Sequence, residues 1–217
     1  MTTVRYRIVD GALVYFVAFS LVEGLPVFVS DEPCKIVTDS LNFCREKKGL
    51  CTNAFVILPT HMHMIVFDEA YDNERLQRSL TDFRRFTGRS LNDYCAGRLP
   101  SCFLESLRDS STTDRERRSW QPRRHSEAIV SETLGKQKLD CLHENPRRKG
   151  LVRRAANRRF SSTEHYVSDG RETCDVKIST VDWPCNGRPS VEPVGCRETS
   201  THLERSVGVE VAARRFW

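Results

Sequence analysis

The stretch FVILPTHMHMIVF, Phe55 to Phe67, holds two apolar runs joined by Pro59-Thr60. Its economical solution is a β-hairpin, one strand from about Cys51 to Leu58 and the other from His61 to Phe67. Side chains alternate across a strand, so residues two apart share a face. His61 and His63 therefore project together, away from the face that carries Met62 and Met64. Two neutral imidazoles in one small space can hold a divalent ion, with a carboxylate or amide oxygen completing the shell and open positions left for a phosphate oxygen. The plainer reading is two polar residues on a solvated strand face.

The hairpin needs neighbours, and the chain offers them. Leu13 to Val22 is rich in β-branched and aromatic residues and ends at Gly24 and Pro26, as a buried strand would. The same run is short for a membrane span and no small-residue cleavage site follows it, so cytoplasmic residence with reduced thiols and no membrane partner is expected. Ser30-Asp31-Glu32-Pro33 opens a helix with Val37, Leu41 and Cys44 on one face, closed by Lys47-Lys48-Gly49. Asp72-Asn73 caps a second, with Leu76, Leu80 and Phe83 inward and Arg75, Arg78, Arg84 and Arg85 elsewhere. Ser131-Glu132 opens a third through Leu134, Leu139 and Leu142, and Pro146 is expected to stop it.

A chain of 217 residues suits one core with extensions. The expected division is a domain over 1–165, with an insertion near 105–119, and an irregular extension over 166–217. The nine cysteines are odd in number and no two are separated by only two residues, so neither a zinc ribbon nor a disulfide framework is indicated. Charge is uneven. From Arg115 to Arg159, fourteen Lys or Arg face five Asp or Glu, a local +9 within a chain of net +5, so the remainder carries −4. Clustered arginine beside a near-neutral body suits a phosphate-backbone partner, and a solvated linker is the alternative.

The segments VYFVAFSL, GLPVF, AFVILPTHMHMIV, WQ, LHENPRRKGLV and RFSS, in that order, resemble the REP-associated tyrosine transposases, within the single-tyrosine HUH transposase family of insertion sequences. The likeness runs from about Val14 to Ser162. It implies an α+β fold, a central antiparallel sheet with helices packed on it (ferredoxin-like). It also implies nicking and rejoining of single-stranded DNA at hairpins, with Mg²⁺ or Mn²⁺ and a transient 5′-phosphotyrosine. His61 and His63 match the metal pair. The tyrosine does not carry over: its slots read Cys141-Leu142-His143-Glu144-Asn145-Pro146 and Trp120-Gln121-Pro122-Arg123-Arg124-His125.

Cys141 and Asn145, four apart, share a helix face, so Asn145 can offer an amide oxygen to the ion while Cys141 is either a substitute nucleophile or a plain thiol. Tyr94 and Tyr166 are the later tyrosines to weigh as nucleophiles. Arg123, Arg124, Arg147, Arg148, Lys149, Arg153 and Arg154 are the expected DNA-binding residues, with Arg158 and Arg159 beside them. Trp120 and Phe160 either stack on unpaired bases or close the core. His125 and His143 are either a third ligand or general acid, or exposed histidines without a task. The expected protein is a transposase-like binder of single-stranded or hairpin DNA, monomer or homodimer. A catalytically silent nucleic-acid-binding protein and a decaying transposon copy are the alternatives.

Overall fold

The computed structural model of the chain describes residues 12–98, 119–122 and 125–181. The hairpin forms. Strand β2 (Leu50–Leu58) turns at Pro59-Thr60 and returns as β3 (His61–Asp68), with Leu58 opposite His61 and Val56 opposite His63. Strand β1 (Val14–Ser20) pairs antiparallel with β3, and β4 (His125–Ile129) pairs antiparallel with β1, giving one four-stranded sheet in the order β2-β3-β1-β4. The expected α+β class with a central antiparallel sheet holds. Strand β4 was not anticipated, and β1 stops short of Val22 because Leu21 leaves the ladder to bridge Trp120 and Glu23 turns at φ 51°.

Helix α1 (Asp31–Lys48) carries acids in its first turn and cations in its last, which suits the helix dipole. Gly49 closes it at φ +69°, a left-handed conformation that favours glycine. Helix α2 (Asn73–Arg98) is capped by Asp72, whose Oδ1 accepts from the N–H groups of Glu74 and Arg75 at 2.8 and 2.9 Å. Both helices cover the sheet face that holds Tyr15, Val17, Phe55, Met62 and Met64. Phe19 sits 5.7 Å from the Phe83 ring and 5.6 Å from Trp120, while Trp120 donates from Nε1 to Thr87 Oγ1 at 2.9 Å. Trp120 and Phe160, 2% and 4% exposed, close the core.

Helix α3 (Glu132–Arg148) covers part of the opposite face through Leu139 and Leu142. It does not stop before Pro146, as expected, but runs through it. Proline in the last turn forgoes only its own hydrogen bond, and the end is closed beyond it: Leu151 N–H donates to Pro146 O at 2.9 Å and Gly150 N–H, at φ +70°, to Arg147 O at 3.0 Å.

The outer edge of β2 is covered by returning chain. Ile57 N–H donates to Phe160 O, Ser162 N–H to Phe55 O, and farther along Ser179 N–H donates to Thr52 O beside a parallel Thr52–Ile178 bridge. An edge strand so covered cannot pair with another chain. Between these two contacts lies the short helix α4 (Thr163–Val167). Of the expected insertion near 105–119, only Ser119 falls within the described residues, buried with its hydroxyl on Asn92 Oδ1 at 2.7 Å. The extension beyond Val181 lies outside them. Among the described residues no helix is long and apolar enough to cross a membrane.

Candidate metal and nucleic-acid site on the histidine face

Strand alternation buries Met62 and Met64 completely and turns His61 and His63 to the α3 side, both half-buried, with ring centroids 4.9 Å apart. His63 stacks on Phe16 at 5.3 Å, and Lys138 Nζ lies over the Phe16 ring, 5.4 Å from its centroid and 2.7 Å from Glu127 Oε2. His61 Nδ1 lies 2.8 Å from the Thr60 hydroxyl; the tautomer that donates from Nδ1 leaves the Nε2 lone pair for a ligand. His63 Nδ1 is buried without a hydrogen-bond partner.

Burial, then the charges of His61, His125 and Lys149, push the His63 ring down to about 4, and burial with Lys149 lowers His61 as well. At neutral pH both rings are uncharged, the form that binds a metal. The donor set stops at two imidazoles: among the described residues no three His, Cys, Asp or Glu side chains converge as a metal-binding group. An orphaned ring nitrogen beside a second imidazole fits a divalent ion whose remaining positions are filled by oxygen.

The α3 flank lies over this face. Lys138 reaches Phe16 and the charge of Lys149 reaches both histidines, so Cys141 and Asn145, one turn inside each, lie on the flank between them. Cys141 is exposed, with Arg148 Nη1 3.8 Å from its sulfur, and Asn145 is half-buried. The two tyrosines weighed from the sequence are elsewhere. Tyr94 packs with the α1 and α2 core, on the other side of the sheet, its hydroxyl 3.0 Å from Ser30 Oγ. Tyr166 donates to the Asn53 carbonyl at 2.9 Å and is held protonated by burial. Asn53 is three residues before Val56, the partner of His63, roughly 10 Å along the strand.

His143 is buried in α3, 2.9 Å from Ser162 Oγ and pushed down to about 4 by burial, so it is a packed residue and not an exposed one. Arg147, Arg148, Lys149, Arg153 and Arg154 are all exposed around the end of α3, with Arg147 paired to Glu144. Arg123 and Arg124 lie outside the described residues. Arg158 and Arg159 are tied into the body, Arg158 Nε donating to Ile57 O at 2.9 Å and Arg159 pairing with Asp31. Sequence reasoning missed the place of His125, which register sets on β4 opposite Ala18. The run His125 to Ile129 has no apolar alternation, so the sequence offered no strand signal there.

No protein-family model matches the chain, and no curated protein does. Two of the solved structures similar in shape are the following. A Deinococcus radiodurans R1 protein provisionally assigned as a transposase aligns over 64% of this chain and 93% of its own, at 13% identity and a TM-score of 0.41, too low to support an argument. The REP-associated tyrosine transposase bound to a REP hairpin aligns over 84% of this chain and 94% of its own, at 18% identity and a TM-score of 0.55. The four-stranded sheet and the helices packed on it therefore give this chain the fold of a REP-associated tyrosine transposase.

Proposed function

We propose that this chain is a transposase-like DNA-binding protein that holds single-stranded or hairpin DNA across the histidine face with a divalent ion, Mg²⁺ or Mn²⁺, on His61 and His63. The observation that carries the reading is the imidazole pair itself: two neutral rings 4.9 Å apart, one with an orphaned nitrogen, beside a helix end crowded with exposed cations. A bound ion supplies polarisation of a phosphodiester. Thr60 orients His61, Phe16 backs His63, and Arg147, Arg148, Lys149, Arg153 and Arg154 neutralise the DNA backbone. In this reading Asn145 would add an amide oxygen to the shell.

In the cleaving form of this reading, a nucleophile on α3 attacks phosphorus. The 3′-oxygen leaves and takes a proton to become a hydroxyl, the 5′-phosphoryl stays on the protein, and attack by a 3′-hydroxyl reverses the link. Cys141 occupies the family's tyrosine slot, and its thiolate forms a phosphorothiolate ester. Tyr94 and Tyr166 serve poorly there, since one faces the other side of the sheet and the other spends its proton on Asn53.

A second reading, DNA binding without cleavage, is favoured by that same disposition of the tyrosine hydroxyls. One experiment separates the two: purified protein with Mn²⁺ and a labelled DNA hairpin, resolved under denaturing conditions. An adduct that survives denaturation and disappears in Cys141→Ala supports cleavage through the thiol. Salt-dependent binding without any adduct selects the second reading, and the absence of binding removes both.

A further inference from the structure

One basic side chain of α3 is unlike the others. Lys136, Arg147, Arg148 and Lys149 are exposed, whereas Lys138 lies against the sheet with 24% of its side chain exposed. Its ammonium stands 5.4 Å from the centroid of the Phe16 ring, and that ring stacks on His63 at 5.3 Å, so the cation lies within about 11 Å of the His63 ring. Along the helix, Lys138, Cys141 and Asn145 follow one another at three and four residues and share one flank. Glu127 is the β4 partner of Phe16, and its Oε2 accepts from Lys138 Nζ at 2.7 Å. An ammonium carries three N–H donors and Glu127 Oε2 takes one of them. The side chain keeps part of its surface open, so it can accommodate a second acceptor while the pair with Glu127 stays made.

We propose that Lys138 seats one phosphate of the DNA strand beside the imidazole pair and so fixes which linkage lies there, with Glu127 and Phe16 holding the ammonium in place before DNA arrives. This rests on the DNA-binding reading given under Proposed function. The exposed cations at the end of α3 attract the backbone without fixing its register. A compact ammonium set into the histidine face and held by a carboxylate and a ring is preorganised, and it meets a phosphate at one position only.

The test measures the affinity of the full chain for a labelled DNA hairpin with single-stranded tails, and for the same hairpin with one neutral methylphosphonate placed at each tail linkage in turn. K138Q weakens binding of the unmodified hairpin about tenfold, the worth of a hydrogen bond between charged groups, and E127Q strengthens it by up to about fivefold by freeing the ammonium. At one linkage the methylphosphonate weakens the parent about tenfold and leaves K138Q unchanged, while K136Q, a matched loss of charge on the same helix, shows no such coupling. A staple between α3 and β4 would lower the melting temperature in both K138Q and E127Q without coupling to any single linkage. Equal losses in the parent and K138Q at every linkage overturn the proposal and leave the DNA-binding reading standing. Absence of binding by the parent chain overturns that reading itself.

Discussion

The two faces of the sheet obey the same alternation and end differently. Below, Tyr15, Val17, Phe19, Met62 and Met64 meet two long helices and are sealed. Above, Val14, Val56, Ile65 and Phe67 meet the single helix α3, and at the turn end the apolar pattern gives way to His61, His63 and Ser20. The sealed face stabilises the fold. The partly covered face can dispense with apolar burial at one end and offer neutral imidazoles instead. The contrast says that stability and chemistry are carried by alternate residues of the same strands, so each can be altered with little effect on the other.

The largest effect should come from opening the sealed face. Phe83→Ala, which removes a ring packed on Phe19, is expected to cost about 3–5 kcal/mol in urea melts, whereas the double change His61→Ala and His63→Ala should cost less than about 1 kcal/mol. A double-histidine cost as large as that of Phe83→Ala would erase the distinction between the faces.

Acid should come next. His63 and His143 sit at about 4 in the fold against an ordinary value near 6.5, so between those values the unfolded chain binds more protons. Stability should therefore fall as pH drops from about 6.5 to about 4, with both rings contributing. Melts at pH 7, 5.5 and 4 measure it, and His143→Gln should flatten the slope.

Smaller changes sharpen the upper face alone. Thr60→Val deletes the hydroxyl that fixes the His61 ring and should weaken divalent-ion binding about tenfold by titration, with no shift in melting temperature. Lys149→Ala is the gentlest: DNA affinity should lose about 0.7 to 0.9 of a unit in the slope of log affinity against log salt, with stability unchanged. An unaltered slope would remove Lys149 from the DNA contacts.

Much of this molecule was legible before folding. The hairpin, the first two helices and the shared side of His61 and His63 follow from periods of two and 3.6 residues and from caps such as Asp72 and Gly49. Pro146 misled because its local preference was outweighed: beyond it Gly150 and Leu151 close α3 by hydrogen bonds that a dipeptide rule does not see. The fate of the tyrosines was equally hidden. Tyr166 is disposed of by the carbonyl of Asn53, 113 residues earlier in the chain.

The sequence alone determined the alternation that turns two imidazoles to one side of a ribbon and two methionines to the other, because a strand's geometry is local. Only the tertiary structure decided what stands opposite them: the flank of α3, the charge of Lys149, and His125 in line with His63 across Ala18. Those neighbours come from segments more than sixty residues away in the chain, and their register is fixed by the packing of the whole sheet, which no window of letters contains.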